Sequence, residues 1–142
     1  MTSPGMPPES GTRDKPRILV VDDEPDTLGL LQLTLQTAGF EVDTAANGTQ
    51  AIDRATQDHY DLIVLDVMMP DLSGFEVLRR LQAGSSGLPP VVFLTAKARP
   101  EDRQAGESLG ATAYLIKPTT RGQLLDIVRE ALAKPAGKDA PG

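Results

Sequence analysis

Short apolar runs alternate along the chain with longer amphipathic segments. Three runs are continuously apolar, at residues 18–21, 62–65 and 91–94, as a strand requires when helices cover both of its faces. Residues 41–45 instead alternate polar and apolar side chains, which is typical of a half-exposed edge strand. The pattern therefore predicts five strands, the first, third and fourth of them central, at 17–21, 41–45, 61–65, 91–94 and 112–116.

The segments between these strands carry helix start and stop signals. The first helix begins with Pro25 in its first turn and ends before Gly39. Its apolar residues are spaced to cover a sheet: Leu28, Leu31, Leu35 and Ala38. The second, third and fifth helices have N-terminal capping signals, which are Asn47, Ser73 with Glu76, and Thr120 with Gln123.

The fourth helix, predicted near residues 100–109, has the weakest pattern. Gly106 lies in its interior, and its apolar stripe is little more than Ala105 and Leu109. A helix that buries so little apolar surface is expected to shift easily.

Alternating strands and helices predict an α/β fold with a doubly wound parallel sheet. With strands 1, 3 and 4 in the centre, the strand order is 2-1-3-4-5, which is the flavodoxin-like (βα)5 arrangement. A chain of 142 residues has the usual size of one domain. We assign this domain to residues 17–134 and predict disordered tails at 1–16 and 135–142, which are rich in glycine and proline.

Composition excludes several classes of function. The net charge of −6 opposes direct binding to nucleic acid or to an anionic membrane surface. The absence of cysteine excludes thiolate chemistry and cysteine-ligated metals, and aromatic residues make up only 4% of the chain, too few for a base-stacking platform. Since no apolar run approaches the length of about 20 residues that a bilayer span needs and the N-terminus lacks signal-peptide character, we predict a cytoplasmic protein.

Five reactive side chains follow the carboxyl ends of predicted strands: Asp22, Asp23, Asp66, Thr95 and Lys117. In an open parallel sheet this edge binds ligands, at the point where the strand order reverses. Three neighbouring carboxylates repel one another, and a divalent cation such as Mg²⁺ or Mn²⁺ relieves that repulsion while accepting a phosphoryl oxygen. Asp66 is then suited to act as a nucleophile that forms an acyl phosphate.

Four separated motifs resemble the receiver domain of bacterial two-component response regulators, over about residues 17–134. They are VVDDE at 20–24, LDVMMPD at 65–71 with Gly74, LTA at 94–96 and YLIKP at 114–118. The resemblance implies that Asp66 is the phosphoacceptor. Asp22 and Asp23, with Asp66 and the backbone carbonyl of Met68, would hold Mg²⁺, and Lys117 would pair with the phosphoryl group.

The resemblance also implies a conformational switch. The Thr95 hydroxyl would move toward the phosphoryl group, and Tyr114 would turn inward into the space that Thr95 leaves. A cis bond is expected between Lys117 and Pro118, because only a prolyl bond adopts this form at low cost.

The expected partners are a sensor histidine kinase or phosphotransfer protein, docking near the first helix and the Asp66 loop, and a downstream effector. The effector, or a second copy in a homodimer, would bind the face formed by the fourth helix, fifth strand and fifth helix. Too few residues follow the domain for an output domain, so we expect a stand-alone receiver.

At two positions where members of the resembled family tune the loss of the phosphoryl group, this chain carries side chains that do not orient an attacking water. Met68 and Lys97, each two residues past Asp66 and Thr95 respectively, carry neither a carboxylate nor an amide side chain. The expected activity is therefore limited to self-phosphorylation from a donor and slow self-dephosphorylation. Thr119 replaces the phenylalanine that often follows the Lys-Pro pair in this family.

Two other classes of function are weighed against this one. A binding module of the same fold that signals without phosphorylation would lack the acceptor, the acid pair or the lysine. A metal-dependent phosphatase of the haloacid-dehalogenase type would carry a second aspartate two residues after the first, where this chain has Met68. His59, the only histidine, lies before the third strand and is interpreted as an exposed residue without a catalytic role.

Overall fold

The computed structural model describes residues 15–84 and 87–133. The predicted tails lie almost entirely outside these residues. Within them, strands and helices alternate from β1 to α5. They are β1 (Arg17–Val21), α1 (Pro25–Thr37), β2 (Glu41–Ala45), α2 (Gly48–Gln57), β3 (Leu62–Leu65), α3 (Gly74–Gly84), β4 (Val91–Thr95), α4 (Pro100–Ser108), β5 (Ala113–Ile116) and α5 (Arg121–Ala133).

The five strands form one parallel sheet in the order β2-β1-β3-β4-β5, which confirms the predicted topology. The three continuously apolar runs are the central strands, and β3 and β4 are buried along their whole length. β2 and β5 form the edges and are partly exposed. Helices therefore cover both faces of the sheet, as the apolar runs require.

Two apolar clusters form the core, one on each face of the sheet. The first contains Leu65 and Phe93 together with residues of α2 and α3, and the second contains Val64 and Val92 with residues of α1 and α5. Successive residues of one strand belong to different clusters because strand side chains alternate between faces. Among the described helices, none combines the length and apolar character of a transmembrane span.

Side-chain caps begin three of the helices where the sequence predicts them. Asn47 accepts a hydrogen bond from the Gln50 amide at 2.9 Å, and Ser73 Oγ accepts one from the Glu76 amide at 3.1 Å. At α5 the capping box is reciprocal: Thr120 Oγ1 accepts from the Gln123 amide at 3.0 Å, and Gln123 Oε1 accepts from the Thr120 amide at 3.2 Å. These bonds satisfy amide groups that the helix itself leaves unpaired.

The predicted boundaries differ from the structure by one residue in several places. β3 begins at Leu62 and β5 at Ala113, one residue later than predicted. β4 continues through Thr95 because that residue still pairs with β5, and α4 ends at Ser108 with Leu109 as its C-cap. α1 ends at Thr37, and Gly39 follows with a φ of 101°, a backbone conformation that favours glycine.

Candidate functional site

Backbone hydrogen bonds place two of the predicted acidic residues side by side at the carboxyl edge of the sheet. The Asp22 amide donates to the Ala45 carbonyl at 3.2 Å, and the Asp66 amide donates to the Val21 carbonyl at 3.0 Å. The sheet ladder is thereby extended one residue beyond β1 and β3. Both side chains are buried, with residue exposures of 1% for Asp22 and 5% for Asp66.

Lys117 reaches both of these carboxylates. Its amide donates to the Thr95 carbonyl at 2.8 Å, which fixes the start of the β5–α5 loop. Its Nζ lies 2.7 Å from Asp22 Oδ2 and 2.8 Å from Asp66 Oδ2. The following bond, Lys117–Pro118, is cis, as expected. One ammonium group therefore bridges two buried carboxylates that stand 44 residues apart in the sequence.

The second oxygen of each carboxylate is held by the turn that follows it. Asp22 Oδ1 accepts from the Glu24 amide, and Asp66 Oδ1 accepts from the Met68 amide, each at 2.9 Å. Both turns bond a side chain to the backbone two residues later, which is the pattern of an Asx turn. These bonds fix the direction of the two carboxylates.

The environment of Lys117 stabilises its charged form. Burial alone lowers the pKa of this lysine, but hydrogen bonds to Asp22 and Asp66, together with their negative charges, outweigh burial and raise the pKa. The ammonium is therefore fully charged at neutral pH, and it neutralises one of the three negative charges at the site.

Asp23 completes an acidic cluster that suits a divalent cation. One carboxylate oxygen from each of Asp22, Asp23 and Asp66 lies within 4.8 Å of the other two. Asp23 is exposed, so the cluster has a side that faces solvent. Oxygen ligands with room for water suit Mg²⁺ or Mn²⁺, and after Lys117 the remaining charge of −2 matches one divalent ion.

An open cleft of about 630 Å³ adjoins the cluster. Asp23, Ser73 and Lys97 line it, and its other lining residues are apolar: Val67, Met68, Met69, Pro70 and Phe75. The acidic cluster is thus accessible from solvent although two of its members are buried.

Thr95 and Tyr114, the two residues expected to form a switch, meet at the backbone of Lys97. The Lys97 amide donates to Thr95 Oγ1 at 3.3 Å, and the Tyr114 hydroxyl donates to the Lys97 carbonyl at 2.8 Å. Thr95 is fully buried and Tyr114 is 6% exposed. The Tyr114 ring therefore already lies inward in this structure.

Asp71 and Gly74, two motif residues to which the sequence reasoning gave no role, hold the loop between β3 and α3, and Asp71 does so through Gly48 and Thr49. Asp71 Oδ1 accepts from the Gly48 amide and Oδ2 from the Thr49 amide, both at 3.0 Å, and Oδ2 also accepts from the Thr49 hydroxyl at 2.8 Å. A Cβ at Gly74 would collide with the Asp66 carbonyl oxygen. The capping pattern could not reveal Asp71, because the helix it caps lies earlier in the chain.

His59 lies at the opposite edge of the sheet. Its side chain is 75% exposed and its Nε2 is 3.6 Å from Asp61 Oδ1. The structure thus places it away from the acidic cluster, in agreement with its interpretation as an exposed residue.

Comparison with known proteins establishes the family. The family model of the response regulator receiver domain matches residues 18–129. The chain belongs to this family. Receiver domains are signalling modules of two-component systems rather than conventional enzymes, they signal through an aspartate phosphoacceptor, and they bind Mg²⁺ at an acidic pocket. Response regulators interact with histidine kinases and effectors.

The relatives include both longer regulators and isolated receiver domains. The chain is 43% identical over 119 residues to the uncharacterized transcriptional regulatory protein YkoG of Bacillus subtilis, covering 84% of this chain and 52% of that protein. It thus spans about half the length of the curated relatives it matches.

Among solved structures, the Vibrio cholerae chemotaxis protein CheY4 is similar with a TM-score of 0.78 and 36% identity, over 82% of this chain and 98% of that one. The Thermotoga maritima response regulator TrrA, solved in complex with Mg²⁺ and BeF, has a TM-score of 0.74 and 34% identity, with the same coverage. These structures confirm the predicted fold class.

Proposed function

We propose that Asp66 accepts a phosphoryl group with the help of Mg²⁺ and that phosphorylation switches a partner-binding face of this receiver domain. The observation that carries the proposal is the position of Lys117 Nζ, 2.8 Å from Asp66 Oδ2, beside two further carboxylates. Asp22 is also buried beside this ammonium, and the resemblance of the motif at 65–71 to receiver domains assigns the acceptor role to Asp66.

In the proposed step, an Asp66 carboxylate oxygen attacks the phosphorus of the donor, and the bond between phosphorus and the donor breaks with its electron pair leaving on the donor. The product is an acyl phosphate. Lys117 is placed to neutralise the phosphoryl oxygens as they approach. The Met68 amide, on Asp66 Oδ1, fixes the orientation of the nucleophile.

Asp22, Asp23 and Asp66 would hold the cation, with the backbone carbonyl of Met68 as a fourth ligand. The bound ion would supply positive charge for the transferring phosphoryl group. Asp22 is well prepared for this role, since its Oδ1 is fixed by the Glu24 amide.

The exposed apolar residues suggest where the phosphodonor binds. Leu30 and Leu33 are 65% and 58% exposed on the outer face of α1, and Met68 is 51% exposed beside Asp66. We propose that a sensor histidine kinase or phosphotransfer protein docks on this side and presents its phosphohistidine to Asp66. A small phosphodonor would use the adjoining cleft instead.

At the β5 edge of the sheet, α4, β5 and α5 form the proposed output face for an effector protein or a second copy of the domain. This face connects to the site through Thr95, Lys97 and Tyr114. The domain itself would bind neither nucleic acid nor membrane and would act in the cytoplasm. Loss of the phosphoryl group would be slow because neither Met68 nor Lys97 carries a carboxylate or amide that orients water.

The proposal is tested by incubating the protein with acetyl phosphate and measuring its intact mass. We expect a gain of one phosphoryl group that requires Mg²⁺ and is abolished by Asp66→Asn. Asp126→Asn, which changes an exposed carboxylate of α5, should leave the gain intact. Absence of any gain in the wild type would favour a binding module that works without phosphorylation, and a gain that survives Asp66→Asn would place the acceptor elsewhere.

A further inference from the structure

Gly106 is packed against an aromatic ring in the middle of α4. A Cβ added there would lie 2.9 Å from Tyr114 Cδ2, 3.3 Å from Tyr114 Cε2 and 3.2 Å from Phe93 Cδ2. Distances near 3 Å are shorter than carbon atoms in contact adopt, since their optimal separation is about 3.5–4.0 Å. Any side chain at this position therefore requires the Tyr114 ring or α4 to move.

A glycine at position 106 makes the helix less stable than an alanine would, and the contact with Tyr114 explains why a glycine is present. Glycine in a helix interior is less favourable than alanine because it loses more conformational freedom on folding. Gly106 is nevertheless the one residue of α4 that is buried. The residue that weakens the sequence pattern of this helix is thus its one buried position.

Three other groups hold the Tyr114 ring in the same place. Its hydroxyl donates to the Lys97 carbonyl at 2.8 Å, and its centroid is 5.9 Å from that of Phe93. The Arg103 guanidinium, one turn before Gly106 on α4, lies 5.7 Å from the ring centroid. Helix α4 therefore contacts the Tyr114 ring through the Arg103 guanidinium and through the backbone of Gly106, which has no side chain. Both contacts require the ring to be inward.

We propose that Gly106 is a positioning residue: the absence of its side chain keeps Tyr114 inward on the Lys97 carbonyl and couples the position of α4 to that of the ring. A methyl group at residue 106 would turn the ring out or lift the helix. The use of this coupling in signalling rests on the proposed function, but the coupling itself does not.

The first test compares two glycines in helices. Gly29 in α1 has no atom within 4 Å of an added Cβ, so Gly29→Ala should raise the denaturation midpoint through helix propensity alone. Gly106→Ala should lower it.

In a Tyr114→Ala background, where the ring is gone, Gly106→Ala should lose most of its destabilising effect. If Gly106→Ala alone does not fold, recovery of folding in the double variant supports the proposal. An equal loss with and without the ring, or a double variant that fails to fold where Tyr114→Ala folds, overturns it.

The second test observes the ring directly and needs neither metal nor phosphoryl group. In a Tyr60→Phe background, Tyr114 is the only phenol, and its ionisation is followed by ultraviolet absorbance. Burial raises the pKa of Tyr114, as do the charges of Asp102 and Asp66, while Arg103 lowers it. Gly106→Ala should shift this ionisation down toward pH about 10, the value for a free tyrosine, and Gly29→Ala should leave it in place. An unchanged ionisation in Gly106→Ala contradicts the proposal, whatever the outcome of phosphorylation.

Discussion

The Asp71 carboxylate holds the first turn of α2 through Thr49, accepting from its amide at 3.0 Å and from its hydroxyl at 2.8 Å. Asp71 lies in the loop that follows Asp66, the proposed phosphoacceptor, so this pair ties that loop to a helix 22 residues away in the sequence. The Gly48 amide donates to the same carboxylate. Asp71 therefore caps α2 from outside, and the loop conformation depends on that helix.

Asp71→Ala should lower the thermal denaturation midpoint at neutral pH. The amides of Gly48 and Thr49 lose their acceptor, while Asn47 still accepts from the Gln50 amide, and unpaired amides in the first turn make a helix less stable. Asp126→Ala provides the matched control, because it removes an exposed carboxylate from the middle of α5. A decrease no larger than that of the control would show that the cap has no energetic importance.

The same pair predicts a pH dependence. Hydrogen bonds from the Gly48 amide and the Thr49 hydroxyl lower the pKa of Asp71. A depressed pKa contributes stability above the unfolded-state value of about 3.9, and this contribution is lost as the pH falls below it. The difference between wild type and Asp71→Ala, measured by denaturation at a series of pH values, should therefore be constant near neutrality and shrink in acid.

Lys117→Met should destabilise the protein without metal and increase its response to Mg²⁺. Removing one partner of a fully buried ion pair costs about 3–5 kcal/mol. Because the Lys117 side chain is 21% exposed, we expect about 2 kcal/mol in urea denaturation. Asp22 and Asp66 then repel each other without an ammonium between them, so the cation should stabilise the variant more than the wild type.

The control for this measurement is Lys97→Met. Lys97 lies in the neighbouring loop, and its Nζ is 3.9 Å from Asp102, in a partly exposed pair. Its removal should change stability by less than about 1 kcal/mol. An Mg²⁺ response in Lys117→Met that is no larger than in the wild type would argue against the cation sharing the carboxylates of Asp22 and Asp66.

The fold could be predicted almost completely from local patterns. Runs of apolar residues identify the central strands. Caps such as Asn47 and Thr120 act within one helical turn, so they can be recognised in a short stretch of sequence. The proximity of Asp22, Asp66 and Lys117 was also predictable, because parallel strands bring their carboxyl ends to one edge.

What could not be predicted are contacts between distant segments. Asp71 caps a helix that precedes it, and no local spacing signals this. Gly106 was interpreted as a weakness of α4. A sequence pattern counts apolar side chains that could be buried, so it does not reveal a close contact that depends on the absence of a side chain. The meeting of Thr95 and Tyr114 at Lys97 depends on loop geometry, which strand and helix patterns leave undetermined.

The stability that the protonated Tyr60 side chain gives the folded protein should be lost at strongly alkaline pH. Burial and the hydrogen bond to Asp43, at 2.7 Å, raise the pKa of Tyr60 to about 12. The folded protein therefore holds this proton more tightly than the unfolded chain, so the stabilisation is complete below about pH 10 and is lost as the pH rises through about 12. Denaturation curves should show a steeper alkaline decline in the wild type than in Tyr60→Phe. At neutral pH this variant should cost about 1 kcal/mol, the value of one hydrogen bond. Parallel alkaline curves for the two proteins would contradict the assignment.

Phosphorylation at Asp66 should change amide exchange over residues 100–131. A phosphoryl analogue such as beryllofluoride with Mg²⁺ brings negative fluorine atoms, which stand in for the phosphoryl oxygens, close to Lys117, whose backbone amide donates to the Thr95 carbonyl. Thr95 and Tyr114 are joined through Lys97, and Tyr114 packs against Gly106 of α4. Because α4 buries only that residue, it has the least packing to resist a shift. Exchange should therefore change most in α4 and the adjoining loops.

Helix α2 provides the internal reference for this experiment, since Asp71 holds its first turn and the helix packs against α3, β1 and β2 rather than at the β5 edge. Its exchange should change less than that of α4. Asp66→Asn, treated in the same way, should show no change in either helix. One outcome would separate the two halves of the proposal. If residues 100–131 are equally protected with and without the analogue, in a protein whose mass shows phosphorylation by acetyl phosphate, Asp66 remains the acceptor. The output face must then lie elsewhere.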